Sequence, residues 1–391
     1  MTTTLEPDAR GTAVRRWIGG LPPPCFALVM ATGIVSRALG DAGGGPVGAL
    51  LLVVAMVAHV VLSFAVAARV WCDRGRLVGQ LTDAGLVFGF FTFVAASDVL
   101  AARLADGPTR GAAEFLLGVA AVGWLALAAL TLVALGRAAR TPGAMGGALR
   151  RGGGTWFLPV VGLQSVALAA ATLRLGGGWP AAELAGWWCG VALYGLVTVV
   201  VVGRVVLRGI PPAELAPSYW VAMGAGAISV LTGVRVLGER DGAGGPAWFV
   251  LAVVWGWATC LLPVLAAAMV WRHLVHRVPV GPAWAWWSTV FPMGMYAVAT
   301  GALAERVGGT GLVTWGRVMA WLALGAWVGI VTMTVVRVAA GAGVVRAGRE
   351  MHVHARSCSG QSDGRDERSR SGQPTQGPSK ARGKTPPSPV K

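Results

Sequence analysis

The sequence predicts an all-α integral membrane protein with ten transmembrane helices, arranged as five repeated helical hairpins around a central pore. Three observations predict it. Of 391 residues, 55% are hydrophobic and only 13% are charged, against about 25% charged in a soluble globular chain. Apolar runs long enough to cross a bilayer recur along the chain, with arginines gathered in alternate loops. An arginine-containing segment returns at a near-constant interval.

A span needs roughly 20 apolar residues to cross a hydrocarbon core about 30 Å thick. The candidate spans are 22–39, 47–70, 81–102, 112–136, 154–175, 185–207, 217–237, 246–271, 284–304 and 312–338. Turn residues such as Gly43-Gly44-Gly45, Asp106-Gly107-Pro108, Pro211-Pro212 and Gly308-Gly309 separate them. The abundant glycines and tryptophans suit the same class, Gly for close helix approach and Trp for interface anchoring.

Residues 1–20 are polar and lack the short apolar core of a secretory signal, so they are expected to form a cytoplasmic N-terminal segment. Orientation follows from loop arginines. One side carries Arg10, Arg15 and Arg16, then Arg69, Arg74 and Arg76, then Arg137, Arg140, Arg150 and Arg151, then Arg204 and Arg208, then Arg272 and Arg277. The other side holds Asp41, Asp106, Glu114, Glu183, Glu239, Asp241 and Glu305. Both termini are therefore expected in the cytoplasm of a multi-pass cell-membrane protein, with the transmembrane domain at 21–340.

The segment 341–391 is rich in Arg, Ser, Gly, Pro and Lys and cannot bury enough apolar surface to fold. It reads as a disordered, basic cytoplasmic tail, with contact to anionic lipid headgroups as the alternative. Much of the net charge of +16 lies there, and the rest sits in short loops where orientation explains it, so no nucleic-acid partner is expected. The five cysteines, Cys25, Cys72, Cys189, Cys260 and Cys358, have no framework spacing and read as free thiols. His352 and His354 form a lone HxH pair, too little for a metal site.

The odd-numbered spans end alike. Arg37, Arg103, Arg174, Arg235 and Arg306 each precede a glycine-containing turn, at separations of 66, 71, 61 and 71 residues. A period covering two spans marks a repeated supersecondary unit, here a hairpin. Five such units close into a ring. The odd spans hold the small and polar residues, among them Thr32, Gly33, Ser36, Thr92, Gln164, Ser165 and Ser229, and with Pro292 these are the candidate pore lining. The even spans are mostly Val, Leu, Ala and Trp and suit lipid. The five arginines have two compatible readings: cations that cap helix C-termini, and an electropositive outer mouth that attracts anions.

Several segments resemble a known family. Pro24-Cys25-Phe26 through Met30, Thr32, Gly33 and Ser36 is similar to the opening helix of the tellurite-resistance/dicarboxylate transporter family. Phe90-Phe91-Thr92-Phe93 resembles its third helix, Thr155-Trp156 through Pro159, Gln164 and Ser165 its fifth, and Tyr219-Trp220 through Met223-Gly224 its seventh. Trp286-Trp287 through Phe291-Pro292-Met293 resembles the ninth helix of the plant slow anion channels of the same superfamily. The resemblance covers roughly 21–338. It implies a ten-helix, quasi-fivefold fold with kinked inner helices, which Pro159 and Pro292 suit, and often a homotrimer. It implies transport of small anions: C4-dicarboxylates such as malate, or sulfite, a tellurite-related oxyanion, chloride or nitrate. It also implies a pore gate at Phe291, where an aromatic ring excludes water; ordinary helix packing is the plainer reading.

Asp98 departs from the family pattern, which carries an uncharged polar residue there. An intramembrane carboxylate is a functional candidate. Asp98 either couples a proton to anion movement or pairs with Arg103 or another outer arginine. His59, in the second span, reads as a satisfied packing residue, with a proton relay as the alternative. The spans carry no nucleophile–base pair, metal constellation or phosphate-binding loop, so no enzyme, cofactor or metal is expected.

Overall fold

The computed structural model describes residue 15, residues 17–238 and residues 245–366, with side chains described as far as residue 340. Glu239 and Asp241, most of the N-terminal segment and residues 367–391 lie outside the described residues. So do the side chains of His352, His354 and Cys358. The chain divides into a unit of residues 1–333 and a second of residues 334–391. Helix α12, which enters the second, runs Thr310–Asp366.

Among the described residues of the first unit the regular elements are all helices, joined by turns and short loops. Short helices alternate with long ones. The short set is α1 (Ala27–Asp41), α4 (Phe91–Arg103), α7 (Leu158–Leu173), α9 (Trp220–Leu237) and α11 (Trp287–Val307). The long set is α2 (Gly45–Cys72), α5 (Arg110–Arg140), α8 (Trp179–Arg208), α10 (Pro246–Val270) and α12. Two small helices, α3 (Arg74–Thr82) and α6 (Ala144–Gly152), lie in the loops between them.

Local sequence explains the starts and stops. Proline in the first turn opens α2, α7, α8 and α10, where its missing N–H costs nothing. Short 3-10 turns, Val87–Phe90, Gly153–Phe157, Pro217–Tyr219 and Ala283–Trp286, lead into α4, α7, α9 and α11. Gly308, at φ 73°, closes α11, its N–H donating to the Ala304 carbonyl. The prolines differ from the sequence expectation in one respect. Pro159 sits in the first turn of α7 and so initiates that helix instead of kinking it, whereas Pro292 does lie inside α11.

The two sets of helices form two layers. Of the most apolar stretch of each span, 89% is buried in Pro217–Leu237 and 72% in Ala144–Leu173, against 17–22% in the five long spans. Leu50, Phe64, Phe115, Leu196 and Phe249 on long helices are exposed. Apolar surface on that scale suits hydrocarbon, not water. The short helices contact one another in a closed cycle, α1 to α4 to α7 to α9 to α11 and back to α1, and α1, α4, α7 and α9 each also pack on the long helix that follows.

Among the described residues seven helices are long and apolar enough to cross a membrane, or eight if α3 and Val87–Arg103, bent by 107°, count as one span. The shortfall against ten falls on three inner helices, α1, α4 and α11, and for α1 and α4 length is the reason. Helix α4 has 13 residues and α1 has 15. At 1.5 Å per residue they reach roughly 20 Å, short of a core about 30 Å thick.

Candidate functional site

Two groups of cavities lie at opposite ends of the short-helix cycle, and each draws on all five helices. At the N-terminal ends is a cavity of about 230 Å³ whose lining includes Met30, Thr92, Leu158, Val221 and Ser288. Five helix N-termini thus meet around one space, each presenting the positive end of a dipole. Arg151, on its rim, is held by Asp83 at 3.2 Å.

At the C-terminal ends a cavity of about 50 Å³ is lined by Ile34, Asp98, Ser165, Ile228 and Met295, with Arg37, Arg103 and Arg235 around it. A neighbouring cavity of about 190 Å³ shares Arg37 and Arg235 and adds Asp41, Glu305, Arg306 and Arg317. The two ends are separated by seven residues on α7, α9 and α11 (Leu158 to Ser165, Val221 to Ile228, Ser288 to Met295), a packed stretch of roughly 10 Å. Phe291 lies inside it, between Ser288 and Met295, and has no exposed surface. Its neighbour Pro292 packs on α9 so tightly that a Cβ on Gly224 would stand 3.0 Å from the proline ring.

Four of the five repeated arginines gather at the C-terminal mouth. Arg37 donates from Nε to Asp41 at 3.1 Å, and Arg306 donates from Nη1 to the Gly238 carbonyl at 2.9 Å. Arg103 and Arg235 lie in the last turns of α4 and α9. The capping and mouth positions therefore coincide. Arg174 differs: it caps α7 in the left-handed conformation, φ 50°, and lines neither cavity.

Asp98 does not pair with Arg103, nor with any other arginine among the described residues. It is buried, accepts a hydrogen bond from Ser165 Oγ at 2.7 Å, and leaves Oδ1 without a partner. It sits too deep on α4, facing α7, to reach the helix end. His59 packs between Phe26 (5.6 Å) and Phe93 (5.8 Å), as expected, but its Nδ1 has no hydrogen-bond partner, so it is not the satisfied residue the sequence suggests.

Of the polar and small residues singled out as lining, Thr92 and Ser165 face the cavities. The others turn into helix contacts. Ser36 Oγ donates to the Gly48 carbonyl at 2.7 Å, and Gln164 Nε2 to the Trp187 carbonyl at 3.2 Å. Thr32 Oγ1 donates to the Leu28 carbonyl and accepts from Trp327 Nε1. Ser229 Oγ donates to the Ala225 carbonyl, while Gly33 packs on Val99. In an apolar layer an unpaired polar group costs several kcal/mol, so carbonyls of the same or a neighbouring helix claim these hydroxyls and amides. Arg317 was not among the sequence candidates. Its signal is a charge near the start of the apolar run of the last span, where only Arg337 at the far end is also charged.

A family model described as SLAC1, voltage-dependent anion channel, matches residues 20–335. An uncharacterized membrane protein of Mycobacterium tuberculosis is 36% identical over 165 residues, covering 41% of this chain and 83% of that protein. An uncharacterized transporter of Methanocaldococcus jannaschii is 26% identical over 199 residues, covering 48% of this chain and 56% of that protein. A second uncharacterized transporter from that organism is 26% identical over 164 residues, covering 39% of this chain and 45% of that protein.

Proposed function

The chain belongs to the SLAC1 voltage-dependent anion channel family, and from that premise we propose that it passes small anions along the axis of its five short helices. The observation that carries this reading is the pair of end cavities, each lined by all five short helices, with arginines at one mouth and helix N-termini at the other. Both ends favour negative charge. We read the hairpins α1–α2, α4–α5, α7–α8, α9–α10 and α11–α12 as five like units and the ten helices as ten spans around a quasi-fivefold pore. The site is a cell membrane with both termini cytoplasmic, and the assembly a homotrimer.

Phe291 is the gate in this reading. Its position within the packed stretch between the cavities supports that role, because a buried aromatic ring there denies an ion its water. Asp98, with one oxygen unpartnered beside the pore, is the group that couples a proton.

Malate and other C4-dicarboxylates are the first substrates to test. The cavity at Asp98 supports a second reading. At roughly 10–15 Å³ per water, its volume of about 50 Å³ suits chloride or a compact oxyanion such as nitrate, sulfite or a tellurium oxyanion better than a four-carbon chain.

Reconstitution into liposomes separates these readings. Efflux of malate, sulfite and chloride is measured for the wild type and Phe291→Ala. The gate reading expects several-fold larger flux in the variant. Equal or lower flux from a folded variant removes Phe291 from that role, and sulfite or chloride flux without malate flux selects the compact-anion reading.

A further inference from the structure

Away from the axis, between α2 and α5, lies a cavity of about 750 Å³. Its walls are chiefly Phe, Leu, Val and Ala. Arg69, at one end, is wholly buried. Its Nη1 donates to the Leu21 carbonyl at 3.3 Å and its Nη2 to Gln80 Oε1 at 2.7 Å, while Nε has no partner. Among the described residues no carboxylate forms an ion pair with it. Asp73, one turn further on, does not. His59 Nδ1 and Ser63 Oγ line the same cavity and are likewise unpartnered.

A buried guanidinium without a counter-charge is costly, and buried charges in folded proteins are paired. Neutral alkyl chains of a bilayer cannot supply that charge. We propose that this cavity binds a single-chain anionic amphiphile of the fatty-acid class, its carboxylate on Arg69 and its alkyl chain along α2 and α5. From Arg69 to His59 the cavity follows ten residues of helix, about 15 Å at 1.5 Å per residue, a reach suited to one extended chain. Its volume falls within the roughly 300–1,000 Å³ of small-molecule sites. The occupant also touches the inner layer, since Phe26, edge-on to His59, and Phe93, stacked on it, lie at the start of α1 and on α4 and line the cavity.

Native mass spectrometry of the full-length protein in detergent, with hexadecanoate or hexadecanol added, tests the proposal. One hexadecanoate per chain is expected, with hexadecanol bound about tenfold more weakly because it lacks the charge-assisted bond. Arg69→Gln abolishes that preference. Gly123→Phe fills the groove from α5 and leaves Arg69 in place, since a Cβ on Gly123 meets nothing closer than 3.7 Å; it abolishes hexadecanoate binding, and it carries the test if Arg69→Gln fails to fold. Equal binding of the acid and the alcohol overturns the proposal, as does unchanged binding by Gly123→Phe. An oligomer that takes up hexadecanoate only after dissociating also overturns it, and assigns the groove to a second copy of the chain.

Discussion

Phe291 and Asp98 are both without exposed surface to speak of, yet only one of them is chemically at rest. Phe291 is an apolar ring among apolar neighbours, and its removal leaves a void in the packed stretch between the cavities. Asp98 is a carboxylate with a single hydrogen bond, from Ser165. The proton-coupling proposal predicts that Asp98→Asn, which keeps shape and loses the titratable oxygen, makes anion flux insensitive to a pH gradient that drives the wild type. A flux with the same gradient dependence in both proteins would refute it. Ser165→Ala removes the one donor to that carboxylate, and is expected to change the pH at which wild-type flux is half-maximal without abolishing flux.

At the scale of the helix, the inner layer is held by small residues at crossing points. Gly224 on α9 admits Pro292 of α11, and a Cβ there would stand 3.0 Å from one ring carbon and 3.2 Å from the proline Cα. Pro292 cannot rotate out of the way. Gly224→Val is therefore expected to destabilise the protein by about 1–3 kcal/mol through overpacking, read as a lower Tm in detergent. Gly118→Ala, on an outer helix with open space around the glycine, should leave Tm unchanged or raise it through helix propensity. An unchanged Tm for Gly224→Val would mean that α9 and α11 separate easily.

At the scale of the whole molecule, cations gather where the short helices end. Arg37, Arg235, Arg306 and Arg317 crowd one mouth, with Asp41 and Glu305 offsetting part of their charge. Attraction of that kind is long-range and screened, with a Debye length of about 10 Å at 0.1 M salt. The double variant Arg37→Gln, Arg235→Gln is predicted to lower anion flux more at low ionic strength than at high. Arg174→Gln, whose position lines neither cavity, should give a smaller salt-dependent loss. Equal effects at both salt concentrations would leave these arginines with capping alone.

Much of this was legible in the chain. Hydropathy located each long helix because a residue facing lipid must be apolar, whatever its neighbours are. The interval between Arg37, Arg103, Arg174, Arg235 and Arg306 separated inner from outer helices because each sits where a short helix ends. The boundaries of α1 and α4 were less legible. The turn before α1 and the 3-10 entry of α4 are largely apolar too, so composition does not mark where an α-helix begins. Pro159 shows the same limit, since a proline opens a helix or bends it depending on where the first turn falls.

By itself, then, the sequence determined the class, the two-layer alternation and the arginine-bearing mouth, all of which follow from what each residue meets as solvent. Only the tertiary structure decided which polar side chains face a cavity. Ser36 and Gln164 read like pore residues, but carbonyls on neighbouring helices claim them, and Ser165, one residue from Gln164, points the other way to Asp98. Successive residues on a helix are about 100° apart, and the rotation that sends one inward and the next outward is set by packing between helices far apart in the chain. The same packing left Arg69 buried with no carboxylate among the described residues paired to it, which no inspection of its neighbours in sequence would disclose.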